Sequence, residues 1–288
     1  MKIGLLTPFT GKNAHPAEFA RVAESLGFES IWVPEHPAMP ANPKQQFPTG
    51  GPIPPAYFTM ADQMIALSMA AAVTRNLKLA TGICLVPEHN PLVLAKVVAS
   101  LDYLSGGRFA LGVGIGWSSE EFAALGISFE RRAQRTTEYI DVMRKLWGEE
   151  KSVHTGEFVN FKDVRSFPKP AQGVNVPVIF GGESLPALRR VASHGTGWFG
   201  VNLDPDQAAA KIAKLHSLLD EKGRAHREIE IIISPYHHQI SPSDLRAYHE
   251  LGVSEIVPFI RLPAEDGQIP GYLEGVAREW VEPATKLV

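Results

Sequence analysis

Residues 77–117 read LKLATGICLVPEHNPLVLAKVVASLDYLSGGRFALGVGIGW, and the order of patterns inside them decides the fold. Leu77–Ile83 is a nearly continuous apolar run, Pro91–Leu104 repeats apolar residues at helical spacing, and Phe109–Ile115 is a second apolar run. Strands apolar on both faces belong to parallel sheets covered by helices on both sides. The helix between them is punctuated as such: Asn90 caps it, Pro91 opens the first turn, and Gly106 or Gly107 stands just past its end.

The same unit recurs along the whole chain. Further strands are expected at Ile3–Thr7, Ser30–Pro34, Val178–Phe180, Gly197–Val201, Ile229–Ser234 and Glu255–Phe259. Further helices are expected at Pro16–Leu26, Tyr57–Val73, Arg131–Trp147, Leu185–His194, Pro205–Glu221, Pro242–Leu251 and Gly271–Lys286. Eight βα units predict an α/β fold, a single (β/α)8 TIM barrel over residues 1–288; an open doubly wound sheet uses the same alternation, but eight near-regular units favour closure. Two segments break the rhythm. Pro37–Pro55, with seven prolines, Gly50 and Gly51, is a long Pro-rich loop after strand 2, of a length usually tied to function. Lys151–Val176 holds Ser152–His154 and Glu157–Phe161 around Thr155-Gly156, a small hairpin inserted before strand 5.

The composition of the 288 residues, 44% hydrophobic and 20% charged, supports a large core and excludes wholesale disorder. A net charge of −3 with no basic stripe argues against nucleic acid as a partner. The most apolar later stretch, Met64–Val73, is half the length of a bilayer span, and Met1–Phe9 reads as a strand rather than a secretory signal, so no membrane partner is expected. The single cysteine, Cys84, leaves no intrachain disulfide and no thiolate-only metal cage, which fits a cytoplasmic protein.

In such a barrel the strand ends at the C-terminal mouth build the active site. They supply Glu35-His36, Thr81-Gly82-Ile83, Gly114-Ile115-Gly116-Trp117 and Gly181-Gly182-Glu183-Ser184. This set is short of acids and rich in glycine, which suits a flat cofactor better than a metal-hydrolase centre. His36, a residue type able to give and take a proton at physiological pH, is a candidate proton donor, with Glu35 beside it to set its charge. Gly181-Gly182-Glu183-Ser184 is either a phosphate cradle at a helix N-terminus or a plain βα turn capped by Ser184. A second Glu-His pair, Glu88-His89, repeats the Val-Pro-Glu-His motif of residues 33–36, so Glu35, His36, Glu88 and His89 form a rival metal-ligand set, less favoured because they occupy different loops. The adjacent His237-His238 receive no role.

Taken together, these motifs resemble the bacterial luciferase-like monooxygenase superfamily, in particular its coenzyme F420-associated branch. The matching pieces are Ile3–Leu5, Gly27–His36, Leu79–Ile83 leading to Pro91–Lys96, Leu101–Phe109, Gly112–Trp117, Pro168–Pro170 and Gly181–Ser184. The resemblance implies a flavin or deazaflavin ring in the barrel mouth and a tail phosphate near the loops after strands 4 and 5. It further implies a cis peptide at Gly82–Ile83 behind the ring, with His36 at the reactive centre. The preferred cofactor is F420, with FMN as the alternative. The implied reaction is hydride transfer between reduced F420 and a small organic substrate, or FMN-dependent monooxygenation. One departure stands out: similar deazaflavin-dependent dehydrogenases carry a carboxylate soon after strand 4, where this chain has Trp117, either an aromatic stacking wall or a cover for the barrel end. A metal-dependent hydrolase and a non-catalytic cofactor-binding protein are the rival classes. The resemblance also implies a homodimer, for which the helix at Ala61–Val73 offers a flat apolar face.

Overall fold

The fold is described from a computed structural model covering residues 1–12, 14–263 and 265–287. Eight parallel strands make the barrel: β1 (Lys2–Leu6), β2 (Ser30–Val33), β3 (Lys78–Thr81), β4 (Phe109–Gly114), β5 (Val178–Gly181), β6 (Gly197–Val201), β7 (Glu230–Ser234) and β8 (Glu255–Ile256). Each pairs with the next in chain order. Leu79↔Phe109 joins β3 to β4 and Lys2↔Glu255 joins β8 back to β1, which closes the sheet and rules out the open doubly wound alternative. Around it run α1 (Pro16–Ser25), α2 (Gln63–Val73), α3 (Pro91–Ser105), the short α4 (Ser119–Ala124), α5 (Arg132–Gly148), α6 (Leu185–His194), α7 (Pro205–Glu221), α8 (Pro242–Glu250) and α9 (Ile269–Thr285).

The strands carry two separate apolar layers because successive side chains point to opposite faces. Leu5, Ile31, Leu79, Leu111, Val178, Trp198 and Ile233 face outward into the shell of helices. Leu6, Trp32, Ala80, Ile179, Phe199, Ile232 and Val257 fill the barrel itself. Below this plug, Trp32 Nε1 donates to Ser30 Oγ at 2.7 Å and Ser30 Oγ donates to the fully buried Glu255. Burial pushes the Glu255 carboxyl up to about 7. The lower end is therefore closed, and the open mouth lies at the C-terminal strand ends.

Two expectations are corrected and one element is added. The helix expected over residues 57–73 begins only at Gln63, because Asp62 accepts from Ile65 N at 2.9 Å and caps it there; Pro55–Phe58 is a separate 3-10 turn. In the inserted hairpin, Ser152–Thr155 pairs with Asn160–Val164, a later second strand than expected, because the N–H groups of Glu157, Phe158 and Val159 are all taken by the carboxylate of Glu138 on α5. Finally α4, which the sequence pattern does not announce, starts where Ser118 Oγ accepts from Glu121 N.

Several shared motifs are structural. Arg108 donates to Ala71 O, Thr74 O, Thr74 Oγ1 and Leu77 O, closing the C-terminal end of α2. Lys169 donates to Leu146 O at 2.6 Å and to Glu149 O, closing that of α5.

Candidate active site

The mouth holds a cavity of about 710 Å³, within the range of sites that enclose a drug-sized ligand. Its floor is apolar and nearly free of protruding side chains. Ile83 lies against Gly114 and Gly181, where an added Cβ would stand only 2.9 Å and 2.6 Å from Ile83 Cδ1; Leu6, Phe199 and Val201 complete the surface. The Gly82–Ile83 peptide is cis, as the resemblance implied, and a Cβ at Gly82 would meet Leu6 and Trp32.

On one side stands His36, whose side chain is 4% exposed. Its Nδ1 lies 2.7 Å from Glu121 Oε2 and its Nε2 accepts from Trp117 Nε1 at 3.3 Å. An acceptor at Nε2 fixes the proton on Nδ1, so this arrangement holds a neutral imidazole whose N–H points at the Glu121 carboxylate. Glu121 is fully buried, and its other oxygen accepts from Ala38 N at 3.1 Å. A carboxylate after strand 4 is thus present, four residues beyond Trp117. The turn of α4 folds it back under His36, and a reading confined to the strand end passes over it.

Glu35 does not set the charge of His36. Consecutive residues at a strand end diverge, and the Glu35 carboxylate accepts from Leu85 N at 2.7 Å and pairs with His89 Nε2 at 2.9 Å. Burial works to raise its carboxyl, yet the His89 contact and the Leu85 N–H hold it below the usual range, and Glu35 in turn raises His89. The two Val-Pro-Glu-His copies therefore cross-pair: the first glutamate takes the second histidine, and His36 goes to Glu121. The rival metal set of Glu35, His36, Glu88 and His89 is not brought together; among the described residues only Glu35, Cys84 and His89 converge, with ligand atoms within 4.8 Å of one another. Beside them Glu88 is buried with neither carboxyl oxygen hydrogen-bonded. Desolvation, with Glu121 and Glu35 nearby, pushes its carboxyl up to about 9.

Of the other expected site residues, Gly114, Gly116, Trp117, Gly181, Gly182 and Glu183 line the cavity along with Gly82 and Ile83, while Thr81 and Ser184 do not. Thr81 is fully buried and donates to Gly112 O at 2.8 Å. Ser184 is exposed and caps α6 through Ala187 N. Glu183 turns its carboxyl to Val201 N at 2.8 Å. With Ala187 N taken by Ser184 and Pro186 lacking an N–H, the α6 N-terminus alone is a poor phosphate cradle. Cationic groups nearby carry no signal in the sequence. Lys211 lines the cavity, Arg132 donates to Gly116 O at 3.1 Å, and Arg190 on α6 is close enough to Arg132 for their charges to repel. Burial, then Arg132, lowers Arg190, whose buried Nε has no partner. An anion would relieve the burial, the repulsion and the unpaired Nε at once.

The roof comes from residues 37–55. They are tied to α4 by Lys44 N, which donates to Glu120 at 2.9 Å, and by the Gln45 side chain, whose Oε1 accepts from Ser119 N at 2.6 Å. Phe47, 6% exposed, lies edge-on to Tyr57 and Trp117 with centroids 5.2 and 5.9 Å away. Tyr236 completes the cluster, its hydroxyl 3.3 Å from that of Tyr57.

The profile of the luciferase-like monooxygenase family matches residues 1–272. The chain belongs to that family. It is similar to Rv0953c of Mycobacterium tuberculosis, 33% identical over 263 residues, which cover 89% of this chain and 91% of that protein. Its fold is similar to the monooxygenase RslO1 from Streptomyces bottropensis, with a TM-score of 0.79, 22% identity and coverage of 98% and 99%. It is also similar to the coenzyme F420-dependent tetrahydromethanopterin reductase from Methanopyrus kandleri, with a TM-score of 0.74, 17% identity and 98% coverage of both chains. Family membership makes this chain an oxidoreductase, and the metal-hydrolase class falls away. No helix among the described residues is long and apolar enough to cross a membrane.

Proposed function

We propose that this chain is an F420-dependent oxidoreductase that transfers a hydride between the reduced deazaflavin and a small organic substrate. The observation that carries the proposal is the His36–Glu121 pair beside a flat, glycine-lined floor. The residues fit the cofactor: Ile83 between Gly114 and Gly181 offers a surface for a planar ring, and Lys211 in the lining, with Arg132 bound to the lining Gly116 and Arg190, whose Nε lacks a partner, offers cations for the tail phosphate. When bound, the deazaflavin supplies hydride donation or acceptance.

The chain's own task is the proton. Neutral His36 carries a lone pair on Nε2, held until then by the Trp117 N–H. A substrate hydroxyl in place of that N–H can pass its proton to Nε2, and the resulting imidazolium gains a charge-assisted hydrogen bond from Nδ1 to Glu121. In the reverse direction the imidazolium returns the proton to a carbonyl oxygen. Glu121→Gln keeps the shape but removes that charge, and turnover should fall about 10- to 100-fold, the worth of one charge-assisted bond. Cofactor affinity should stay as in the parent.

The second reading is an FMN-dependent monooxygenase, favoured by the apolar aromatic roof over part of the mouth. Titration with FMN and F420 side by side decides between them: tighter binding of FMN overturns the F420 assignment. A homodimer is proposed through α2, which is apolar on both faces. Met64, Leu67 and Ala70 pack inward, while Ile65 and Met69 remain exposed on the outer side. A monomer mass in solution at micromolar concentration would reject it.

A further inference from the structure

Above the cofactor floor the cavity is a box of rings. Phe47, Tyr57, Trp117 and Tyr236 come from three distant parts of the chain, with Phe47 edge-on to two of them and His36 edge-on to Trp117 at 5.5 Å. Edge-to-face contact is the geometry in which an aromatic quadrupole attracts another ring. Tyr57 and Tyr236 share one hydrogen bond, so one of the two O–H groups remains to donate to a third oxygen. Tyr236 is held at φ 57°, a left-handed conformation unusual for so bulky a residue, and backbone of this kind persists where the surroundings fix a side chain for use. His36 faces the same space, giving the box two polar poles among apolar walls.

Resting on the oxidoreductase reading above, we infer that the substrate is a planar, uncharged aromatic ketone or the corresponding benzylic alcohol. Its ring stacks in the Phe47–Tyr57–Trp117–Tyr236 box. Its oxygen lies between His36 and the tyrosine pair. Sugar phosphates and carboxylates are disfavoured, because the four rings present no charged group of their own and Lys211 is the one lysine or arginine among the described residues that lines the cavity.

The test uses three bicyclic probes and the full chain, with and without bound cofactor, followed by calorimetric titration. α-Tetralone has the ring and the carbonyl, 1-decalone has the carbonyl on a saturated skeleton, and tetralin has the ring alone. α-Tetralone should bind about tenfold more tightly than either of the others. Tyr236→Phe and, as a second variant, Tyr57→Phe should weaken α-tetralone about five- to tenfold and leave tetralin unchanged. Equal binding of 1-decalone and α-tetralone overturns the inference, as does an unchanged α-tetralone affinity in both tyrosine variants. If α-tetralone is selected but neither F420 nor FMN binds, the cofactor reading fails and the aromatic box stands. If a cofactor binds and the probes are not discriminated, the reverse holds.

Discussion

Replacing Glu88 by glutamine should stabilise the protein, by an amount that grows with pH. The carboxyl is buried, lacks any hydrogen-bond partner and titrates at about 9, against an ordinary value of 4.5. Between those values the folded chain holds a proton that the unfolded chain has released, so stability declines as pH rises through this window. Each tenfold difference in proton affinity between the two states is worth about 1.4 kcal/mol. The cost of keeping Glu88 protonated is therefore about 3 kcal/mol at neutral pH and about 6 kcal/mol at pH near 9, an upper figure because the surroundings relax when the group ionises. Glu88→Gln removes the proton requirement and retains a neutral side chain of the same size. Urea midpoints of parent and variant, measured at about pH 5, 7 and 9, give the difference directly. A difference that does not change with pH, or a variant less stable than the parent at about pH 9, refutes the reasoning and places an ionised Glu88 in the fold.

Gly114→Val would drive a side chain into Ile83, whose Cδ1 and Cγ1 stand 2.9 and 3.1 Å from the first added carbon. Cofactor affinity should fall about tenfold or more, and unchanged affinity would remove the floor assignment. Arg190→Met should leave the cofactor-free chain as stable as the parent. It should weaken FMN about tenfold while sparing riboflavin, which lacks the phosphate; equal loss of both ligands would exclude a phosphate contact. Glu138→Gln should speed hydrogen exchange at the amides of residues 157–159 without touching the barrel strands, and unaltered exchange would show that the hairpin turn stands without this anchor.

The barrel is legible because its strands are short apolar runs whose period needs no partner to be recognised, and all eight fall inside or within a residue of the runs read from sequence. The glycine-lined floor is legible for a related reason: Gly114 and Gly181 end strands, and strand ends share one mouth. What the sequence hides is pairing over distance. His36 and Glu121 are 85 positions apart, and Glu121 lies on a six-residue helix too short to leave a periodic signal. Glu35 offers itself as the partner of His36 because it is adjacent in the chain, whereas adjacency at a strand end places side chains on opposite sides. The ring box draws on residues 47, 57, 117 and 236, none of which carries a local pattern linking it to the others.

Glu121 divides its carboxylate between two parts of the mouth: one oxygen holds the imidazole of His36, and the other holds the backbone of Ala38 at the root of the roof loop. A ligand that displaced Ala38 would disturb the same carboxylate that holds His36. The hydrogen-bond partner of the histidine and the anchor of the loop are one group. Substitutions in residues 37–55 far from the reacting atoms would consequently masquerade as defects of chemistry.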